Sequence, residues 1–381
     1  MPYLGSQQRL STRLAFLVAG LVMSAWAPLV PYAKARAGLD DGSLGLLLLC
    51  LGCGSLLAMP LTGTLSLRFG CRAVILWSGA AACLLLPALA WAPGAPLLAF
   101  TLFLFGAAIG TLDVAMNVQA VTVERASGGA LMSGFHGLFS VGGIAGAGGM
   151  ALLLWAGLAP LAAAGVLAAA ALLLLAGAAP HLLRERERAA GGALFVMPHG
   201  AVILIGALCF IVFLAEGAML DWSALFLTGA RGLDAGSGGL AYAAFASAMT
   251  AGRLSGDRVV GRLGGQRVLL LGGVGAAAGF LFAVLATTAG MALFGFVLVG
   301  LGASNIVPVL FSAAGRQRAM PAGLAISAVT SIAYAGILAG PAVIGLVSRA
   351  ASLDLAFAGL GCAMLLVAAS ARVAAAAPRQ P

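Results

Sequence analysis

The sequence predicts an all-α membrane protein of twelve transmembrane helices, arranged as two pseudo-symmetric six-helix bundles. Three observations predict it. Hydrophobic residues make up 62% of the 381 and charged residues only 8%, where a soluble domain carries roughly a quarter charged. With a mean hydropathy of +1.11, no aqueous surface can be built from this composition. The apolar runs are long, and at membrane depth such runs satisfy their backbone as helices rather than as barrel strands. The chain also repeats itself. Gly38-Leu39-Asp40-Asp41-Gly42-Ser43-Leu44-Gly45-Leu46 returns as Gly232-Leu233-Asp234-Ala235-Gly236-Ser237-Gly238-Gly239-Leu240, identical at seven of nine positions and offset by 194. The same offset carries Arg68-Phe69-Gly70 onto Arg262-Leu263-Gly264 and Val74 onto Val268. Duplicated bundles are a common construction among membrane transporters.

The spans read in order as 12–35, 43–67, 72–92, 96–122, 130–155, 158–179, 200–228, 237–260, 267–288, 290–314, 322–348 and 353–376. In the first, Arg13 and the Ala25-Trp26-Ala27 triplet imitate a secretory signal with its cleavage site. Removing that span would leave five helices to pair with six, so it is read as a retained helix. Pro28 and Pro31 break its end beside Trp26, and prolines at membrane depth free carbonyls that a cavity can use. Trp91-Ala92-Pro93-Gly94-Ala95-Pro96 is a tight turn between spans three and four. The 55 glycines would weaken helices in water but let membrane helices approach closely. The one long connection, Pro180 to Pro198, is polar and alternates in sign, which suits a tether between bundles. The domains are then 1–180, a cytoplasmic linker at 181–198, and 199–381.

A net charge of +9 and a pI near 10.0 raise the question of nucleic acid, but the positions answer it. With the N-terminus cytoplasmic, sixteen of the twenty basic residues, Arg253 among them, fall at or near the inner face, and only Lys34, Arg36, Arg231 and Arg349 fall outside. The excess is a topology signal that sets both termini inside, and no nucleic-acid partner is expected. Cys50 and Cys53 form a C-x-x-C, but no second pair or nearby His completes a metal site, so they read as small residues at a helix contact. The chain holds no G-x-x-x-x-G-K-[ST] for nucleotide-driven transport and no H-E-x-x-H or nucleophile–base pair for an intramembrane enzyme. No cofactor is expected beyond a proton gradient.

Ionisable groups at membrane depth are costly and need an explanation. In span four, Gly106, Gly110, Asp113, Asn117 and Glu124 share one small, polar helix face. Asp113 is a candidate cavity carboxylate, and Asn117 either meets a solute hydroxyl or holds that carboxylate in place. With a two-residue shift of the repeat, Gly110-x-x-Asp113 matches Gly302-x-x-Asn305 in span ten, which makes Asn305 its counterpart. Glu216 lies near the middle of span seven with no cation on its own helix. A buried carboxylate without a partner is held most cheaply as the neutral acid, so Glu216 is the expected proton-coupling site, with Asp113 second. Asp221, about 140° round the helix and nearer water, is expected to gate or cap, with Trp222 in an interfacial belt. His136 is a candidate proton relay. Trp26 offers a face for stacking a sugar-like ring. Ser327, Thr330 and Tyr334 make a polar stripe in span eleven that extends the site. In the same span Gly336-Ile337-Leu338-Ala339-Gly340-Pro341-Ala342-Val343-Ile344-Gly345 reads as a close-packed pivot, as do the glycines of span five.

Gly63-Thr64-Leu65-Ser66-Leu67-Arg68-Phe69-Gly70-Cys71-Arg72 resembles the loop signature of the major facilitator superfamily, G-x-L-x-D-R-x-G-x-R. Leu67 stands where an Asp is usual, and Asp257, ahead of Arg262, is expected to supply the acid differently. Arg68, Arg72, Asp257 and Arg262 are therefore gating candidates, since arginines at helix ends can bind a neighbour's last carbonyls. Asp113-Val114-Ala115-Met116-Asn117, Val123-Glu124-Arg125, the Gly134-to-Ser140 segment, Glu216-Gly217 with Asp221-Trp222, and Gly300-Leu301-Gly302-Ala303-Ser304 resemble one bacterial branch, the YbjJ-type transporters related to fucose permeases. The resemblance implies two bundles around a central cavity. It also implies a monomeric secondary transporter of the bacterial inner membrane, moving a small polar, sugar-like solute. Efflux of amphipathic compounds and a transporter-like sensor or scaffold are the competing expectations.

Overall fold

The computed structural model describes residues 5–184, 197–231 and 237–375. Among them the chain is helical throughout, with no strand. Helix α1 (Ser6–Ala25) gives way to a single 3-10 turn at Ala27–Leu29 and resumes as α2 (Val30–Ala37). Pro28 and Pro31 cannot donate backbone hydrogen bonds there, so the helix breaks where the sequence placed the break. Helices α3 (Asp41–Phe69), α4 (Cys71–Trp91), α5 (Ala95–Ser127), α6 (Met132–Trp155) and α7 (Pro160–Ala178) complete the first half. The second half holds α8 (Ala201–Ala230), α9 (Leu240–Leu263), α10 (Gly265–Leu285), α11 (Ala289–Ala303), α12 (Ile306–Arg316), α13 (Ala322–Ala350), α14 (Leu353–Ala369) and α15 (Ala371–Ala374).

Ten helical spans among the described residues, of 21–33 residues each, are long and apolar enough to cross a bilayer. The first joins α1 to α2, and the one at Ala289–Arg316 joins α11 to α12. Two further helices complete the twelve: α9, whose 24 residues include Arg253, Asp257, Arg258 and Arg262, and the 17-residue α14. The chain forms two compact units, residues 1–128 with 138–197 and residues 129–137 with 198–381. The start of α6 thus clusters with the second unit.

The repeat is visible in the backbone. Gly70 (φ 83°, ψ 150°) joins α3 to α4 and Gly264 (φ 77°, ψ 154°) joins α9 to α10, so each half makes the same one-residue turn in a region open to glycine. Asp40 caps α3, its Oδ1 accepting from Ser43 N–H at 2.7 Å, after Gly38 closes α2 at φ 64°. The equivalent stretch 232–236 lies outside the described residues. Helix contacts repeat as well. A methyl on Gly106 would strike the Leu51 backbone, and one on Gly300 would strike the Phe245 backbone, both pairs offset by 194. Gly142 and Gly146 press on the backbones of Leu17 and Leu21, as Gly336 does on Phe210. The glycines are therefore contact points in the sense the sequence suggested. The counterpart expected for Asp113 sits in a different local setting: Asp113 lies inside α5, and Asn305 lies at the break between α11 and α12.

Two arginines tie equivalent helix ends. Arg36 donates from Nε to Ala92 O at 2.8 Å and from Nη2 to Leu89 O at 2.9 Å, at the C-terminus of α4. Arg231 Nη2 donates to Val284 O at 2.6 Å and to Ala283 O at 3.3 Å, at the C-terminus of α10. Leu89 and Ala283 are again 194 apart. A cation at a helix C-terminus meets the carbonyls that have no partner within the helix. Arg231 adds an ion pair to Asp354 at 2.6 Å and lies 4.7 Å over the Phe226 ring.

Candidate functional site

The strongest polar feature lies in the second unit. Glu216 sits at the midpoint of α8, and Arg253 reaches it from α9, Nη2 to Oε1 at 3.1 Å, with the two side chains only 19% and 9% exposed. The sequence reading found no cation on Glu216's own helix, and none is there: the partner comes from α9. It placed Arg253 at or near the inner face, and that is corrected, since Arg253 lies ten residues short of the end of α9. The sequence held half of the signal: an arginine that far inside a span needs an anion, but the chain does not say which one.

Arg253 makes a second contact, from Nε to Ser304 O at 3.4 Å. That carbonyl is free for a local reason. Pro308 has no N–H, so the helical bond it would give to residue 304 is missing. The tenth span breaks there, with Asn305 at φ −106° and ψ 0° between α11 and α12. Asn305 Nδ2 donates to Gly252 O at 3.1 Å and Ser304 Oγ at 3.0 Å, while its buried Oδ1 has no hydrogen-bond partner among the described residues. Gly252 and Gly256 leave room for this corner, since a methyl on either would collide with Ser304 or Asn305. Glu216, Arg253, Ser304 and Asn305 therefore form one connected set. Tyr242, which the sequence reading missed, lies within electrostatic reach of Glu216, Arg253 and Asp221.

The remaining candidates of this unit sit around it. His136 stands edge-on to Phe311, ring centroids 5.7 Å apart, and within reach of the Arg253 charge. Asp257 Oδ1 accepts from Gly134 N–H at 2.8 Å, placing a carboxylate in the first turn of α6. Arg262 and Asp221 are exposed. Trp222 rests on Gly345, and Tyr334 pairs with Phe213 at 5.9 Å.

In the first unit, Asn117 is fully buried, and its Nδ2 donates to Asp113 O at 2.9 Å and Oδ1 at 3.3 Å. Its contact is with Asp113, whose side chain is half-buried. Asn117 Oδ1 and Trp26 Nε1 are buried without hydrogen-bond partners among the described residues. Gln119 is a polar residue the sequence reading passed over. Its Nε2 donates to Thr12 Oγ1 at 3.0 Å, and its Oε1 accepts from Leu183 N–H at 3.1 Å, tying α1, α5 and the exit of α7. Arg72 N–H donates to Leu183 O at 3.0 Å, so its backbone joins the same corner. The exposed Arg68 lies 5.4 Å over the Phe69 ring.

A twelve-span, internally duplicated helical bundle with a buried charge pair suits a membrane transporter, and comparison with known proteins gives the family. The profile of the Major Facilitator Superfamily matches residues 13–341, and the chain belongs to that superfamily. It is 57% identical to an uncharacterized MFS-type transporter of Yersinia pestis, over 97% of this chain and 96% of the relative. It is 36% identical to an uncharacterized transporter of Sinorhizobium fredii, over 94% and 96%. Among solved structures, the E. coli fucose:proton symporter FucP superposes with a TM-score of 0.78 at 18% identity, covering 97% of this chain and 98% of the symporter.

Proposed function

We propose that this protein is a proton-coupled secondary transporter of a small polar solute, working by alternating access in the bacterial inner membrane with both termini cytoplasmic. The Glu216–Arg253 pair is the observation that carries the reading. Two charges withdrawn from water cost several kcal/mol each unless they are paired and hydrogen-bonded, so the pair is a switch with few intermediate states. A proton on Glu216 neutralises the carboxylate and loosens the Nη2 contact, leaving Arg253 to the Ser304 carbonyl or to a solute oxygen. Loss of the proton restores the pair.

Each unit also carries a buried amide oxygen without a hydrogen-bond partner among the described residues, Asn117 Oδ1 in one and Asn305 Oδ1 in the other. Such acceptors call for a donor, and a solute hydroxyl supplies one. Trp26 Nε1 is the matching orphaned donor. A sugar-like solute is consistent with that inventory, and the fold is shared with a symporter of fucose and protons. Among the gating candidates, Asp257 on α9 sets its carboxylate against the first turn of α6, at Gly134 N–H.

The test takes the solute from a thermal-shift screen of the purified protein against sugars, amino acids, nucleosides and organic acids, since a specific ligand stabilises the folded state by mass action. In proteoliposomes with an imposed proton gradient, Glu216→Gln should keep solute exchange and lose accumulation against a gradient. Normal accumulation by that variant would remove Glu216 from coupling and make Asp113 the next candidate.

A further inference from the structure

We propose that the first unit carries a specific site for an anionic phospholipid, with one acyl chain in a groove over α5 and the headgroup phosphate at Arg68. Helices α3 and α4 each pack along α5 and touch one another far less. The gap between them is a groove of about 420 Å³ walled by Leu65, Phe69, Val74, Trp77, Ala81 and Leu104, among others. Its wall is almost wholly apolar, and the Ser78 hydroxyl within it is spent on Val74 O at 2.7 Å. Trp77 leaves 64% of its surface open to this side.

The groove has a length and a charged end. Along α4 it runs from Val74 to Leu85, eleven residues or about 16 Å, close to one leaflet of a hydrocarbon core of roughly 30 Å. Phe69 closes the end nearest the α3–α4 turn, with its ring 5.8 Å from that of Trp77. Over the Phe69 ring lies the Arg68 guanidinium, 5.4 Å from the centroid and exposed. In this loop the family signature has an acid next to the arginine, and here that position is Leu67. Arg68 thus has no carboxylate beside it in the chain, at the point where a lipid in the groove would present its phosphate. A zwitterionic lipid has the same tails but brings its own cation to that arginine, so charge selects the anionic headgroup.

The test reads Trp77 directly. In a protein retaining Trp77 alone (Trp26→Phe, Trp91→Phe, Trp155→Phe, Trp222→Phe), quenching by acyl-brominated phosphatidylglycerol is compared with quenching by acyl-brominated phosphatidylcholine in vesicles. Phosphatidylglycerol should bind at Trp77 roughly fivefold more tightly, the preference one basic side chain confers at a membrane surface. Arg68→Lys should keep that ratio and Arg68→Gln should bring it to about one. Ala81→Phe, which fills the groove, should weaken quenching by both lipids. Native mass spectrometry of the otherwise unaltered protein, counting retained phosphatidylglycerol with and without Arg68→Gln, gives the same comparison if the single-tryptophan protein does not fold. Equal quenching by the two lipids would mean an ordinary lipid annulus and overturn the proposal, as would a preference that survives Arg68→Gln.

Discussion

Removing one member of a buried ion pair strands the other charge and costs about 3–5 kcal/mol, whereas replacing both by apolar side chains of similar volume is often neutral. Glu216→Leu and Arg253→Met should therefore each lower the melting temperature of the purified protein, and the double variant should recover most of the loss. Additive losses would mean that the two side chains do not act as a pair. Glu216→Gln should cost less than Glu216→Leu, because its amide oxygen still accepts from Arg253. At this scale the sequence was half legible. Glu216, Asp113 and Asn117 stood out because a polar group in an apolar span needs a reason. Arg253 was absorbed into the helix-end arginines, because nothing along the chain states which residue of α9 faces which residue of α8. Tyr242 and Gln119 were missed for a related reason: an aromatic or an amide in a span is costly only once its neighbours are known.

Among the elements, hydropathy and length mark ten spans among the described residues, and the repeat supports the count of twelve where α9 carries four charged residues and α14 has 17 residues. The break at Ser304–Asn305 went unread, although Pro308 signals it: a proline frees the carbonyl four residues earlier, and here Arg253 is the group that takes it. The glycine contacts supply a prediction with an internal control on α6. Gly142→Ala puts a methyl against the Leu17 backbone and should destabilise by about 1–3 kcal/mol. Gly148→Ala meets nothing within 4 Å on the same helix and should leave thermal stability unchanged or slightly raised. Equal losses for the two would show that α6 does not pack through Gly142. The arginine ties at α4 and α10 give a second comparison. Arg231→Ala should cost more than Arg36→Ala in melting temperature, because Arg231 loses the Asp354 pair and the Phe226 contact as well as its carbonyls.

For the whole molecule, the offset of 194 was the most productive reading of the chain, since it recurs in the Gly70 and Gly264 turns, the Gly106 and Gly300 contacts and the Leu89 and Ala283 carbonyls that arginines bind. Sidedness rests on the basic residues, and without Arg253 fifteen of twenty still fall to the inner side. A reporter fused after Arg184 should read cytoplasm and one after Arg231 the exterior, and a cytoplasmic signal at Arg231 would overturn the orientation. The central claim is that solute movement and a proton on Glu216 are coupled. The direct measurement is proton flux in proteoliposomes loaded with a pH-sensitive dye and given solute but no imposed proton gradient. The account predicts a solute-driven change in internal pH for the unaltered protein and none for Glu216→Gln, although both exchange labelled solute. Solute-driven proton flux of equal size in the two proteins would contradict it.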